Sequence, residues 1–246
     1  MRFKVIACEV LAREVYLCAA RSPHLVDLEL VEKGLHNTPD KLRVELQERI
    51  DATQPGRYDA VLLGYGLCGN ALQGLTAHDV PVVVPRAHDC ITLYLGSRAK
   101  YNSKFAENSG TYYYTADYIE RTSGDKDSLA VSLGTALTTD IQAVYATYVE
   151  KYGQDNADYL MEVMGEWSAH YSRAVYIDHE DTRFLGREKL AVDEATRRGW
   201  KYENVPGSLL LFRQLMSGEW PAEDFLVVEP GRKIEPSYDD RVISAT

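Results

Sequence analysis

Residues 60–90 read AVLLGYGLCGNALQGLTAHDVPVVVPRAHDC. Two short, unbroken apolar runs stand in this stretch, AVLLG (60–64) and VPVVV (80–84). Each leads into a turn that carries a cysteine, Cys68 in GYGLCGN and Cys90 in PRAHDC. Runs of this length and composition are those of strands buried on both faces, as in parallel sheets. Nearer the N-terminus the plan repeats, with the strand run VIA followed by Cys8 and a helix over 10–21. VDLELVEKGL (26–35) alternates as a strand covered on one face would. Pro39 opens a helix through KLRVELQERID, with Pro55-Gly56 beyond its end. The resulting β-α-β-α-β-α-β rhythm predicts an α/β fold with an open, mostly parallel, doubly wound sheet of flavodoxin or Rossmann type. In the flavodoxin-like order the first, third and fourth strands lie side by side, and ligands bind where their loops meet. Cys8, Cys68 and Cys90 are therefore expected as neighbours along one sheet edge.

Residues 91–170 read as mainly helical around GTYYYTADY (110–118), with SGDKDS (123–128) as a loop. Strand and helix alternation resumes at AVYIDH (174–179). A helix over 183–199, a helix from about 208 and the strand DFLVVEPG follow. This organisation predicts an N-terminal α/β lobe over 1–122 carrying the cysteines, then a helical insert and second α/β lobe over 123–246. Two facing lobes and one larger α/β domain both fit this order. The acidic tail after Pro236 reads as a solvated end.

At 246 residues with 45% hydrophobic side chains, the chain can bury a substantial core. Its net charge of -10 argues against nucleic acid as a partner. No apolar run approaches a membrane span, and MRFKVIACEV reads as a first strand rather than a signal peptide, so a cytoplasmic location is expected. Four cysteines in a chain of this length are not a disulfide framework. In a reducing compartment, clustered ones point to metal binding or catalysis.

Any single cysteine may be a small buried filler, and Cys18, mid-helix among apolar residues, reads that way. Three at strand ends favour a shared site instead. His88-Asp89-Cys90 is a His-x-Cys step, and imidazole with thiolate suits zinc. Cys68 and Cys90, with Cys8 or His88, would leave an open position. The alternative for His88 is a bond to a backbone carbonyl in the turn. Three thiolates also suit a [4Fe–4S] cluster with one open iron, of lyase or dehydratase type. A metal-free alternative makes Cys68 a nucleophile at a helix N-terminus, with His88 as its base.

Around this set, Arg86 and Arg98 are candidates to clamp an anionic substrate or cofactor, or else surface charges. Asp89 is a candidate proton acceptor or holder of His88, or the cap of a helix running through ITLYLGSRAKYNSKF. Tyr112 is a candidate cofactor contact in an aromatic-lined pocket; the alternative packs Tyr112 and Tyr114 together on one face of a strand. Asp181 or Thr182 in IDHEDT reads as a helix cap. The expectation is a metal-dependent transferase or lyase acting on a small thiol or anionic substrate, or a non-catalytic metal or cofactor carrier. A homodimer is permitted.

The runs GYGLCGNALQGL and PRAHDCITLYLGSRAKYNSKFAENSGTYYYTADYIE closely resemble the bacterial and archaeal family known as domain of unknown function 1638. Its G-Y-G-L-C-G-N, H-D-C-I-x-L-x-L-G-S and G-T-Y-Y-x-T patterns are intact, while Tyr118 stands where the family usually has tryptophan. The likeness is specific over about 60–120 and looser elsewhere. It implies a shared site with no activity attached, and an association with corrinoid methyl-transfer systems. The thiol-methylating partners of such systems hold zinc with a His-x-Cys step plus a distant cysteine, which His88-x-Cys90 is similar to.

Overall fold

The computed structural model describes residues 1–68, 70–107, 110–122, 149, 154, 171–237 and 241–246. The chain divides into two compact units, Met1–Lys104 with Gly207–Thr246, and Phe105–Pro206. The boundary expected near 122 therefore falls inside the second unit, and the last forty residues return to the first. Residues 123–128 and most of the expected helical middle lie outside the described residues.

In the first unit, β1 (Arg2–Cys8) leads through a short 3-10 turn to α1 (Ala12–Ala20), β2 (Leu25–Val31) and α2 (Pro39–Asp51). Next come β3 (Ala60–Gly64), β4 (Val82–Pro85), α3 (Cys90–Leu95) and α4 (Arg98–Glu107). The second unit holds β5 (Thr111–Tyr114), α5 (Ala116–Thr122), β6 (Arg173–Asp178), α6 (Glu188–Arg198) and β7 (Lys201–Pro206), with its three strands parallel in the order β5-β6-β7. Back in the first unit lie α7 (Leu210–Ser217), β8 (Phe225–Val228), β9 (Ile234–Pro236) and β10 (Ile243–Ala245).

The main sheet runs β2-β1-β3-β4-β8, parallel except for β8, which pairs antiparallel to β4. The first four strands follow the expected flavodoxin-like order. β3 and β4 are buried along their whole length, and Phe3, Val5 and Ile6 of β1 are fully buried, which is why these runs carry no alternation. α2 turns Leu42, Leu46 and Ile50 to the core, one residue per turn of a single face.

Three local expectations change. Among the described residues no helix joins β3 to β4, and Asn70–Gly74 is a run of turns. The helix expected from Cys90 onward is two helices, broken at Gly96, whose φ of 70° is open to glycine and which packs against Ser208. The tail is not solvated: β10 pairs antiparallel with β9, and Val242 and Ile243 are buried. No helix among the described residues is long and apolar enough to cross a membrane.

Arg86, one residue past β4, ties this chain end to the sheet. Its Nε donates to the Ala222 carbonyl at 2.8 Å and the Phe225 carbonyl at 3.2 Å, and its Nη1 donates to the carbonyls of Arg241 (3.0 Å) and Ile243. A planar guanidinium can serve several fixed acceptors at once, and an ammonium cannot reproduce that fork. Arg86→Met is expected to destabilise the protein by about 2–4 kcal/mol, because charge-assisted bonds are lost and carbonyls are left unpaired. Arg86→Lys should restore little of it. Urea unfolding at neutral pH measures both.

Candidate thiol site

The register of the central strands builds the site. Ala7 lies opposite Gly64, so Cys8 leaves the sheet at the level of Tyr65. β4 pairs with β3 through Val61↔Val82 and Leu62↔Val83. Beyond the strands their loops stay joined, because Leu67 N–H donates to the Ala87 carbonyl (2.8 Å) and Cys68 N–H donates to the His88 carbonyl (3.0 Å). Gly66 makes this possible: a Cβ there would stand 2.6 Å from the Cα of Asp89. Cys68 itself adopts a left-handed conformation, with φ of 47°.

Cys8, Cys68 and Cys90 thus meet along one edge, close enough that each thiol raises the cost of ionising its neighbours. Cys68 is buried, whereas Cys8 and Cys90 are half-buried. Burial first, then Cys8 and Asp89, push the Cys68 thiol up to about 12. Burial, then Asp89 and the other two thiols, push Cys90 well above the ordinary range. Among the described residues no helix follows Cys68, and its thiol is not acidified, so the basis for a helix-activated nucleophile is missing. Among the described residues, no three His, Cys, Asp or Glu side chains are gathered tightly enough to enclose an ion.

Asp89 is the N-cap of α3. Its Oδ1 accepts from the N–H groups of Ile91 (3.0 Å) and Thr92 (3.3 Å), and its Oδ2 accepts from the Tyr101 hydroxyl (2.9 Å). Burial raises its carboxyl above the usual range, against the pull of these bonds. His88 is exposed, and its ring stacks on Tyr101 with centroids 6.2 Å apart. Arg86 is committed to backbone carbonyls, and the Arg98 guanidinium donates to the Glu223 carbonyl, so both arginines brace the C-terminal segment.

Tyr112 belongs to the core of the second unit. It packs against Tyr114 (4.8 Å), Tyr171 (5.5 Å) and Trp200 (6.1 Å), and its hydroxyl lies 2.7 Å from that of Tyr118. The sequence signal for a pocket is met there by packing. In IDHEDT, Asp178 pairs with Arg183 at 2.6 Å, and the following 3-10 turn starts at His179 without a side-chain cap, so neither Asp181 nor Thr182 fills that position.

Sequence reasoning passed over Tyr65. It is 2% exposed, beside the thiols of Cys8 and Cys68, and its hydroxyl is buried with no partner but the Cys8 thiol among the described residues. The only signal was position: Tyr65 directly follows β3, where a polar tip emerges at the sheet edge.

Raised thiol values have a thermodynamic consequence. The folded protein holds the Cys68 proton more tightly than the unfolded chain does, so this group stabilises the fold fully below the unfolded thiol value near 9. That contribution is lost as pH climbs from 9 toward 12. Metal-free protein should therefore show a falling thermal midpoint over this window, and Cys68→Ala should flatten the fall. Thermal unfolding followed by circular dichroism against pH checks it.

No curated protein and no solved structure matches the chain. A family model described as "Protein of unknown function (DUF1638)" matches residues 30–216, a span that holds Tyr65, Cys68, His88 and Cys90 and leaves Cys8 outside. With three quarters of its length matched, the chain belongs to the DUF1638 family.

Proposed function

We propose that the protein is a metal-dependent enzyme whose thiol site, formed by Cys8, Cys68 and Cys90, holds zinc and through it a small thiol or anionic substrate. One observation carries this reading: three thiols leave three adjacent parallel strands at the same edge, where loops of an open α/β sheet bind ligands. Burial and the neighbouring thiols oppose the ionisation of Cys68 and Cys90. A divalent ion supplies the positive charge that makes thiolates favourable there, and zinc prefers such soft donors. Cys8 and Cys90, half-buried at the rim, would turn inward upon it, with Cys68 fixed below by its strained turn.

Three protein ligands leave the fourth position of a tetrahedral ion for substrate, and zinc there acts as a Lewis acid or holds a substrate thiolate. The remaining residues have supporting tasks. Asp89 locks the first turn of α3 and so the direction of Cys90, while Tyr101 holds Asp89 and carries the exposed ring of His88. His88 stands where it can meet a substrate from the solvent side. Free cysteines fit a reducing, cytoplasmic setting.

The protein purified without oxygen is expected to carry about one zinc per chain, the stoichiometry of a single three-thiolate site. Cys68→Ser and Cys90→Ser should lose it, and Cys18→Ala, altered in the buried face of α1, should keep it. Iron with acid-labile sulfide in place of zinc would move the assignment to a [4Fe–4S] lyase. A folded, metal-free protein that takes up neither would contradict both.

A further inference from the structure

We propose that the Tyr65 hydroxyl is the hydrogen-bond donor that orients a small anionic ligand, a thiolate or carboxylate, at the three-thiol site. The proposal rests on the metal-site reading above and deepens it. Tyr65 is held on every side. Its ring lies in the core cluster that includes Cys68, Leu72 and Leu63. The loop that follows it is pinned by the Leu67 and Cys68 bonds to Ala87 and His88 and by the close approach of Gly66 to Asp89. The hydroxyl at the end of this fixed ring is buried beside the thiols of Cys8 and Cys68, and among the described residues it has no partner but the Cys8 thiol.

Such a group gains little from the fold, since water is given up and only a thiol replaces it. Phenylalanine would fill the same space without that cost. A thiol is a weak acceptor, so Cys8 in its neutral form compensates poorly. An anion bound beside the thiols accepts the O–H in full, and bonds of this charged kind are about twice as strong as neutral ones. Access is from the side of Cys8 and Cys90, both half-buried. Tyr65 is thus placed to select for negative charge at the position that the thiol ligands leave open.

The test uses the full-length protein loaded with cobalt(II), whose visible spectrum reports its coordination, and compares wild type with Tyr65→Phe. Both are titrated with 3-mercaptopropionate, and the melting of both metal-free proteins is followed. The expected result is equal cobalt uptake, probe affinity at least about tenfold weaker in Tyr65→Phe, and a metal-free melting temperature no lower than that of wild type. Equal probe affinity in the two loaded proteins would overturn this proposal alone and leave the metal site standing. A metal-free Tyr65→Phe that melts several degrees lower, or fails to fold, would show that the hydroxyl already serves the fold, and would also overturn it. A wild type that takes up no cobalt would overturn the metal-site reading and this proposal with it.

Discussion

The lateral pairing of β1, β3 and β4 is the constraint on which the rest of the first unit depends. Ala7 opposite Gly64, and Val61 opposite Val82, bring three chain segments out of the sheet at one level. The loops then remain coupled, through backbone bonds from Leu67 and Cys68 and through a glycine that lets two main chains touch. A side chain at position 66 would drive Cys68 away from Cys90, since its Cβ would lie inside the backbone of Asp89. That the loops carrying the three cysteines emerge along one edge is therefore a property of the backbone, set before any side chain chooses a rotamer.

That geometry has an electrostatic price. Cys68 and Cys90, with the Asp89 carboxyl beside them, resist ionisation, and among the described residues the buried Tyr65 hydroxyl has only the Cys8 thiol as a partner. Each is a mild conflict by itself. The metal ion with a bound anion that we propose would relieve both. The arginines of the same neighbourhood do not supply the charge, because they are turned to the carbonyls of the C-terminal segment.

Much of this was legible in the sequence, for definite reasons. AVLLG and VPVVV carry no polar residue, so they had to be strands covered on both faces, and that implied a parallel sheet with the cysteines at its edge. What escaped was non-local. Arg86 finds its carbonyl partners 136 to 157 residues later, and nothing near it in the chain marks them. The antiparallel pairing of β8 with β4 is invisible to periodicity, which gives burial but not direction. β10 hides behind Asp239 and Asp240, which make the tail look solvated although Ile243 is fully buried. For Tyr112 the sequence offered a pocket or packing with Tyr114 on one strand face, and the second unit uses it as core. Tyr65 was overlooked because one aromatic residue after an apolar run looks like packing until its hydroxyl is traced.

The shared thiolate site is tested most directly by X-ray absorption at the zinc edge on protein purified without oxygen. Three sulfur neighbours at about 2.3 Å and one lighter atom at about 2.0–2.1 Å are expected if Cys8, Cys68 and Cys90 hold the ion together and leave one position open. A shell made only of nitrogen and oxygen, or one with a single sulfur, would contradict the convergence of the three cysteines on one ion.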